Sequence, residues 1–468
     1  MKRILLAVLT LALLVSSAEA QTKFRLRQAP TASEFGYSYY CQGGYAGSGT
    51  VRMTDGSETD VQAKHDAASN GDIICVPTGN HTWNGAGSGI SVTKELLFVG
   101  AGIGNTVITR DDQYIFYFTL SASFSGNTRI TGFTFQGSTT QSVFYFTSAA
   151  YDGIPTGRWR VDHNHFNYGS GSRIGVWSVG LNYGLVDHNT FTWNTGDAIE
   201  INAYLASESQ TIGDLHGDLV NDQAAEYSSD KFVFVENNTF TPGSTNELSV
   251  ADMDIGGGRI VYRYNTCTQC YIYNHWTRTG DMGGQLWQIY NNTFTGNANY
   301  GSGGHPMRLE AGTGVIYNNT ITGYGNYYAW LDDRRAARTE NTAPLNDCDG
   351  TETHDGNAGD ASAPGWPCFG QIGRAPGVTS TESVAGTKQS SDPVYLWNNG
   401  TGAGCSSGGS CTDALTVFAD PAAYIKATGH TTGGFGNGDV DYVLNGSTAK
   451  PGYTAPTYPH AKVGQPWP

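Results

Sequence analysis

One phrase recurs along this chain and limits its possible folds more than any other feature. It reads Val161-Asp-His-Asn-His-Phe166, Val186-Asp-His-Asn-Thr-Phe191, Val235-Glu-Asn-Asn-Thr-Phe240, Tyr262-Arg-Tyr-Asn-Thr-Cys267, Ile289-Tyr-Asn-Asn-Thr-Phe294 and Ile316-Tyr-Asn-Asn-Thr-Ile321. The fourth residue of each, Asn164, Asn189, Asn238, Asn265, Asn292 and Asn319, marks the repeat, with spacings of 25, 49, 27, 27 and 27. The 49 reads either as two coils or as one coil carrying the polar stretch around Ser207–Ser229. Weaker relatives precede it at Ile130–Phe135 and follow it at Val394–Asn399. A period in the twenties built from strand formers is the mark of a solenoid. Leucine at fixed offsets, which a leucine-rich repeat needs, is missing. The expectation is an all-β, single-stranded parallel β-helix in which each coil contributes two or three short strands. Each strand pairs with its equivalent one coil away, at roughly 4.8 Å. The marker amides then stack at a turn and hydrogen-bond along the axis, and the residue two positions later stacks inside.

Composition agrees. Glycine makes up 63 of 468 residues and charged residues only 14 %, which suits short strands and tight turns. The net charge of −15 argues against nucleic acid, whose phosphates need a basic footprint. Residues 1–20 carry a charged start, the apolar run Ile4–Val15 and a small-residue end at Ala18-Glu-Ala20, the pattern of a secretory signal peptide. That run is too short to span a bilayer comfortably, and no later stretch qualifies. The expectation is a secreted or cell-surface protein, a monomer with no membrane span. Export permits disulfides among the eight cysteines. Cys348 with Cys368 and Cys405 with Cys411 are the preferred pairs. Cys41 and Cys75 could staple an N-terminal cap. Cys267 and Cys270 read as a disulfide or two thiols rather than a metal site, since no second pair stands at zinc spacing.

The chain divides into the signal peptide, an N-terminal extension over 21–54, a capped β-helix over 55–331, a Cys- and Gly-rich insert over 332–392, and a final coil with C-terminal cover over 393–468. A short helix is expected over Asp60–Ser69 in the cap. So long an irregular insert is usually functional or disulfide-pinned. Residues Gly71 to Gly79 and Gly100 to Gly104 carry a strand-and-turn pattern that, with the Asn repeats, resembles the pectate-lyase-like right-handed parallel β-helix superfamily. The resemblance covers roughly residues 55–400 and implies the fold, a right-handed coil.

Aligning the coils turns scattered residues into columns. The residue two before each marker, Asp162, Asp187, Glu236, Arg263, Tyr290 and Tyr317, should point outward by strand alternation and could line a saccharide groove. The residue just before the marker, His163 and His188 among them, is expected to stack in the turn as structure. A second group spans the later coils: Asp252 and Asp254, then Arg259, Arg263, His275 and Arg278, then His305, Arg308 and Glu310. From 259 to 338 there are seven Arg and no Lys against four acidic residues, a positive region in an acidic chain. Arginines on successive coils can grip carboxylates.

Such groups suit β-elimination on an acidic polysaccharide, where a cation neutralises the uronate carboxylate and a base removes the adjacent proton. Similarity to pectate-lyase-like enzymes implies Arg as base and acidic residues holding Ca²⁺. His275, Arg278, Arg263 and Arg308 are then the catalytic candidates. Arg259, Trp276, Tyr290, Tyr317 and Glu310 are the substrate-binding candidates, and Asp252 and Asp254 the Ca²⁺ ligands. Trp159, Trp177, Trp193, Trp287 and Trp330 join Trp276 as possible stacking partners for sugars. A hydrolase would need two carboxylates across the bond. Asn194–Ile201 resembles part of a polygalacturonase-type motif whose other parts do not follow. Hydrolase, uronate epimerase and a non-catalytic, glycan-binding surface β-helix are the alternatives.

Overall fold

The computed structural model describes residues 36–85, 89–111, 114–120, 128–137, 142–148, 158–168, 174–180, 183–193, 196–202, 227–242, 248–253, 258–274, 284–296, 305–324, 328–332, 372–373, 375, 391–401, 417–420, 440–444 and 448–465. The expected signal peptide, nearly all of the expected 332–392 insert, and Cys348, Cys368, Cys405 and Cys411 lie outside them.

Each coil makes three strands. In one example Arg158–Asp162 runs in a first sheet, His165–Tyr168 in a second and Ile174–Val179 in a third. The chain then returns to the first sheet at Tyr183–Asp187, paired in register with Arg158–Asp162. Among the described residues the first sheet has 12 strands and the others 10 each, and every pairing is parallel. Three parallel sheets linked by successive crossovers make a right-handed parallel β-helix.

The 49-residue spacing is a single coil. Val186 pairs with Val235, and the Asn189 backbone N–H donates to Asn238 Oδ1 at 2.9 Å. The additional residues form an insert within that coil. Asn399 likewise follows Asn319 directly, 80 residues on, accepting from its backbone N–H at 3.1 Å.

The turn between the first and second sheets explains why asparagine recurs. The residue before each marker adopts a left-handed conformation, with φ 53° at His163, 54° at His188, 57° at Asn237 and 55° at Tyr264. Such a turn leaves backbone groups outside both sheets, and the marker side chain satisfies them. Asn238 Nδ2 donates to Val186 O at 2.9 Å, Glu236 O at 3.1 Å and Asn265 Oδ1 at 3.1 Å. The ladder continues unbroken from Asn164 to Asn399. Phe166, Phe191 and Phe240 stack inside, with centroids 4.5 and 4.8 Å apart. His163 and His188 stack outside at 5.0 Å, each sharing a hydrogen bond with the Asp before it.

The cap helix spans Glu58–Asp66, beginning two residues before the expected start because the Ser57 hydroxyl accepts from Asp60 N–H at 3.2 Å. A second short helix, Tyr37–Cys41, is bonded to the first sheet through the Cys41–Cys75 disulfide. Cys267 and Cys270 are both buried in the core, where Cys267 occupies the Phe240–Phe294 column. The strand Tyr442–Leu444 extends the first sheet, and residues 453–462 run back along that sheet's outer face.

Candidate active site

The expected outward column of the first sheet does face out of the coil, yet it is not a groove. Asp162, Asp187, Glu236 and Arg263 are fully buried, and Tyr290 and Tyr317 are 2 % and 8 % exposed. The chain's own C-terminal segment fills the space above them. Arg263 donates to Glu236 at 2.7 Å, to Tyr290 Oη at 2.8 Å, and to the Pro456 and Thr457 carbonyls at 2.9 Å each. Glu236 also accepts from His460 N–H at 2.9 Å. Burial lifts the Glu236 carboxyl above its usual range, even with Arg263 beside it. Tyr290, Tyr317 and Trp397 stack, and Tyr453 from the cover packs its edge on the last two rings. Earlier in the column Arg129 grips Asp162, and Arg160 grips Asp187, both bidentately. Burial alone would raise Asp162, but the guanidiniums of Arg129 and Arg160 hold it well below the usual carboxylate range.

The structure therefore corrects four expectations. Arg263 is not positioned to act on a substrate, and Tyr290 and Tyr317 offer no sugar-binding surface. Arg259 lies on the same strand as Arg263 and is 4 % exposed, so it too stands apart from any open face. Replacing Arg263 by Met should destabilise the protein by about 3–5 kcal/mol, because Glu236 is left buried and uncompensated. Denaturant midpoints of the variant and wild type check this; an unchanged midpoint would mean that the Arg263–Glu236 pair does not hold the column to its cover.

The second sheet presents polar residues such as Asn167, Thr266 and Thr293 to solvent, and the third sheet carries a partly exposed column in which the remaining candidates fall. Register pairing aligns Ser91, Tyr117, Tyr145, Trp177, Glu200, Asp252, Tyr273, Arg308, Trp330 and Phe418 into one column, one residue per coil. Their neighbours along each strand, such as Ile272, Met307, Leu309 and Leu331, fill the core. Tyr117, Trp177, Tyr273, Arg308 and Trp330 are each half-buried.

Arg308 is the best-defined group in this column. Its guanidinium lies 4.4 Å from the Trp330 ring centroid on the next coil and 5.3 Å from that of Tyr273 on the previous one. Glu310 pairs with it at 3.0 Å and accepts from Tyr273 Oη at 2.9 Å. The Glu310 side chain is wholly buried, which corrects its expected role: it orients Arg308 and Tyr273 rather than touching substrate. His305 packs edge-on against Trp330 at 5.1 Å. Burial, reinforced by Arg308, pushes its imidazole down to about 4, so it is neutral at pH 7 and adds no positive charge. Two coils before Tyr273, Glu200 accepts from Asn202 Nδ2 at 2.7 Å. At the start of the same strand, burial lifts Asp197 to about 6.

Asp252 is placed by its backbone alone, as the Cα partner of Glu200 and Tyr273. Asp254, His275, Trp276 and Arg278 lie outside the described residues. Among the described residues no group of three or more His, Cys, Asp or Glu could hold a metal ion. None of the described helices is long and apolar enough to cross a membrane. Trp159 and Trp287 are core residues. Tyr273 and Glu200 were not expected at the site. Alternation about Ile272 and Ile199 could have indicated them, but no constant offset from the marker does.

Fold and site together define a right-handed parallel β-helix with a partly exposed polar and aromatic column on its third sheet. No family model and no curated protein matches the chain. Among solved structures it is similar to the A-module of mannuronan C-5 epimerase AlgE4 from Azotobacter vinelandii, at 14 % identity over 60 % of this chain and 89 % of that one, TM-score 0.32. It is also similar to the PL6 family polysaccharide lyase Pedsa3628 from Pseudopedobacter saltans, at 11 % identity over 87 % and 94 %, TM-score 0.37. The fold assignment rests on the three sheets themselves.

Proposed function

We propose that the protein is an exported enzyme acting on an acidic polysaccharide by β-elimination, with its centre at Arg308 on the third sheet. The observation that carries this reading is a partly exposed arginine held between two rings and a buried carboxylate. A guanidinium so fixed suits a planar carboxylate and costs little reorganisation when charge develops on it. In the reaction Arg308 neutralises the uronate carboxylate. A base takes the proton on the carbon alpha to it, and that carbon's electrons form the new C=C bond. The adjacent glycosidic C–O bond breaks, and its oxygen takes up a proton. Tyr273, one coil from Arg308, is the proton-transfer group in reach of the same sugar. The chain continues from Tyr273 through Asn274 into His275, which we assign as the second one, with Arg278 and Trp276 supporting substrate. Asp252 and Asp254 are the proposed Ca²⁺ ligands, and a bound ion would add positive charge beside the substrate carboxylate. The Cys41–Cys75 disulfide accords with an oxidising compartment outside the cytosol.

Glu200 and Asp252 are Cα partners on adjacent strands, and a retaining glycosidase needs two carboxylates close together. Hydrolysis is therefore the second reading. Incubation with pectate, alginate, glycosaminoglycans and acidic exopolysaccharides, with and without Ca²⁺, separates them. Elimination gives a product absorbing in the unsaturated-uronate band. Reducing ends without that absorbance mean hydrolysis. Deuterium uptake from solvent without chain cleavage means epimerisation. No change in any polymer leaves a binding protein and ends the enzymatic reading.

A further inference from the structure

The third-sheet column changes character along the axis. From Tyr273 to Trp330 it is built around Arg308, whereas from Tyr117 to Trp177 it is wholly aromatic. Tyr117 and Tyr145 stack at 5.1 Å and 24°, and Trp177 meets Tyr145 edge-on at 4.8 Å. Tyr114, from the turn before the strand, closes on both tyrosines at 5.6 and 5.1 Å. Tyr145 is 6 % exposed and held among the other three, each of which keeps part of its surface in solvent.

The first sheet uses the same device differently. There the outer stack of Tyr290, Tyr317 and Trp397 is closed by Tyr453 of the C-terminal segment. The Tyr117–Trp177 stack is partly open and continuous with the column that carries Arg308. Four rungs separate Trp177 from Arg308, roughly 19 Å, and Tyr117 lies two rungs further. One rung is close to the length of one sugar residue in an extended chain. A polysaccharide lying along the axis through Arg308 would thus reach Trp177 after about five consecutive sugars.

We propose that Tyr114, Tyr117, Tyr145 and Trp177 form a distal subsite that receives the apolar C–H faces of sugars in the same polysaccharide chain bound at Arg308. This rests on the third sheet's outer face taking a polysaccharide. Aromatic rings suit this task because a pyranose offers a C–H face to stack on while its hydroxyls stay in water. The subsite makes the protein selective for long chains: short oligosaccharides occupy the centre alone, and polymers are held at both ends.

The test is the double variant Tyr117→Ala/Trp177→Ala beside the conservative Trp177→Phe. Steady-state rates are compared on polymer and on trimers of the same polysaccharide, and affinity gel electrophoresis in the polymer reads binding without chemistry. The double variant should raise KM for polymer about tenfold, leave kcat and the trimer rates unchanged, and lose gel retardation. Trp177→Phe should behave like wild type. Equal losses on polymer and trimer, or an unchanged polymer KM, overturn the subsite. If wild type is retarded by a polysaccharide but converts none, the enzymatic reading has failed and the subsite is judged by the gel. Unchanged retardation of the double variant, or none for wild type with any acidic polysaccharide, overturns it.

Discussion

Replacing Arg308 by Gln should lower kcat/KM on the acidic polysaccharide by a factor on the order of 10³, with the far-UV spectrum unchanged. The size follows from what the guanidinium does. The carboxylate of a uronate gains charge as the neighbouring proton leaves, and Arg308 is already oriented by Glu310, Tyr273 and Trp330. Glutamine keeps much of the volume and none of the charge. Lysine restores charge without the planar fork and should recover only part of the loss. Loss of the guanidinium leaves the wholly buried Glu310 without its cation, so the denaturant midpoint should fall as well, and rates are compared per folded molecule. Initial rates with the substrate identified in the polysaccharide panel decide the matter. A variant retaining more than a tenth of wild-type kcat/KM would place the chemistry elsewhere on the sheet.

Asn238→Ala should damage the scaffold about as much as losing Arg263, at about 4 kcal/mol. Three donor contacts vanish, to Val186 O, Glu236 O and Asn265 Oδ1. The Asn189 backbone N–H loses its acceptor as well. All of this lies within 2 % of complete burial, so water does not readily replace the lost partners. Asn238→Asp should fare no better, since the acceptor survives but the donors are lost and a charge enters the core. Denaturant unfolding followed by circular dichroism measures both. Midpoints within experimental error of wild type would mean that the ladder is not what holds the turn. Coils stack on nearest neighbours, so the damage should spread from this rung in both directions.

The contrast between scaffold and site has a physical origin in how each is spaced along the chain. The two-residue turn at each marker tolerates no insertion, so Asn164, Asn189, Asn238, Asn265, Asn292 and Asn319 keep constant company with the same flanking residues. The path from the second sheet to the third has no such limit. Trp177 stands 13 residues after its marker, Glu200 11, Asp252 14, Tyr273 8 and Arg308 16, yet pairing puts them in one column. Aligning on asparagine therefore scatters the very residues that the third sheet gathers.

The repeat alone determined the coil, the amide ladder, the inward phenylalanines, the stacked histidines and the outward direction of the Asp162–Tyr317 column. All of these follow from local periodicity, which a linear pattern records. Only the tertiary structure decided which outward face is covered. Outwardness is a property of one strand, but exposure depends on what else packs there. Residues 453–462, some two hundred positions beyond Arg263 in the chain, return to cover the first sheet. That contact buries Arg263, Tyr290 and Tyr317 as structure, whereas the third-sheet column that holds Arg308 stays partly exposed. No spacing within the repeat could have announced it, because the covering segment belongs to no repeat.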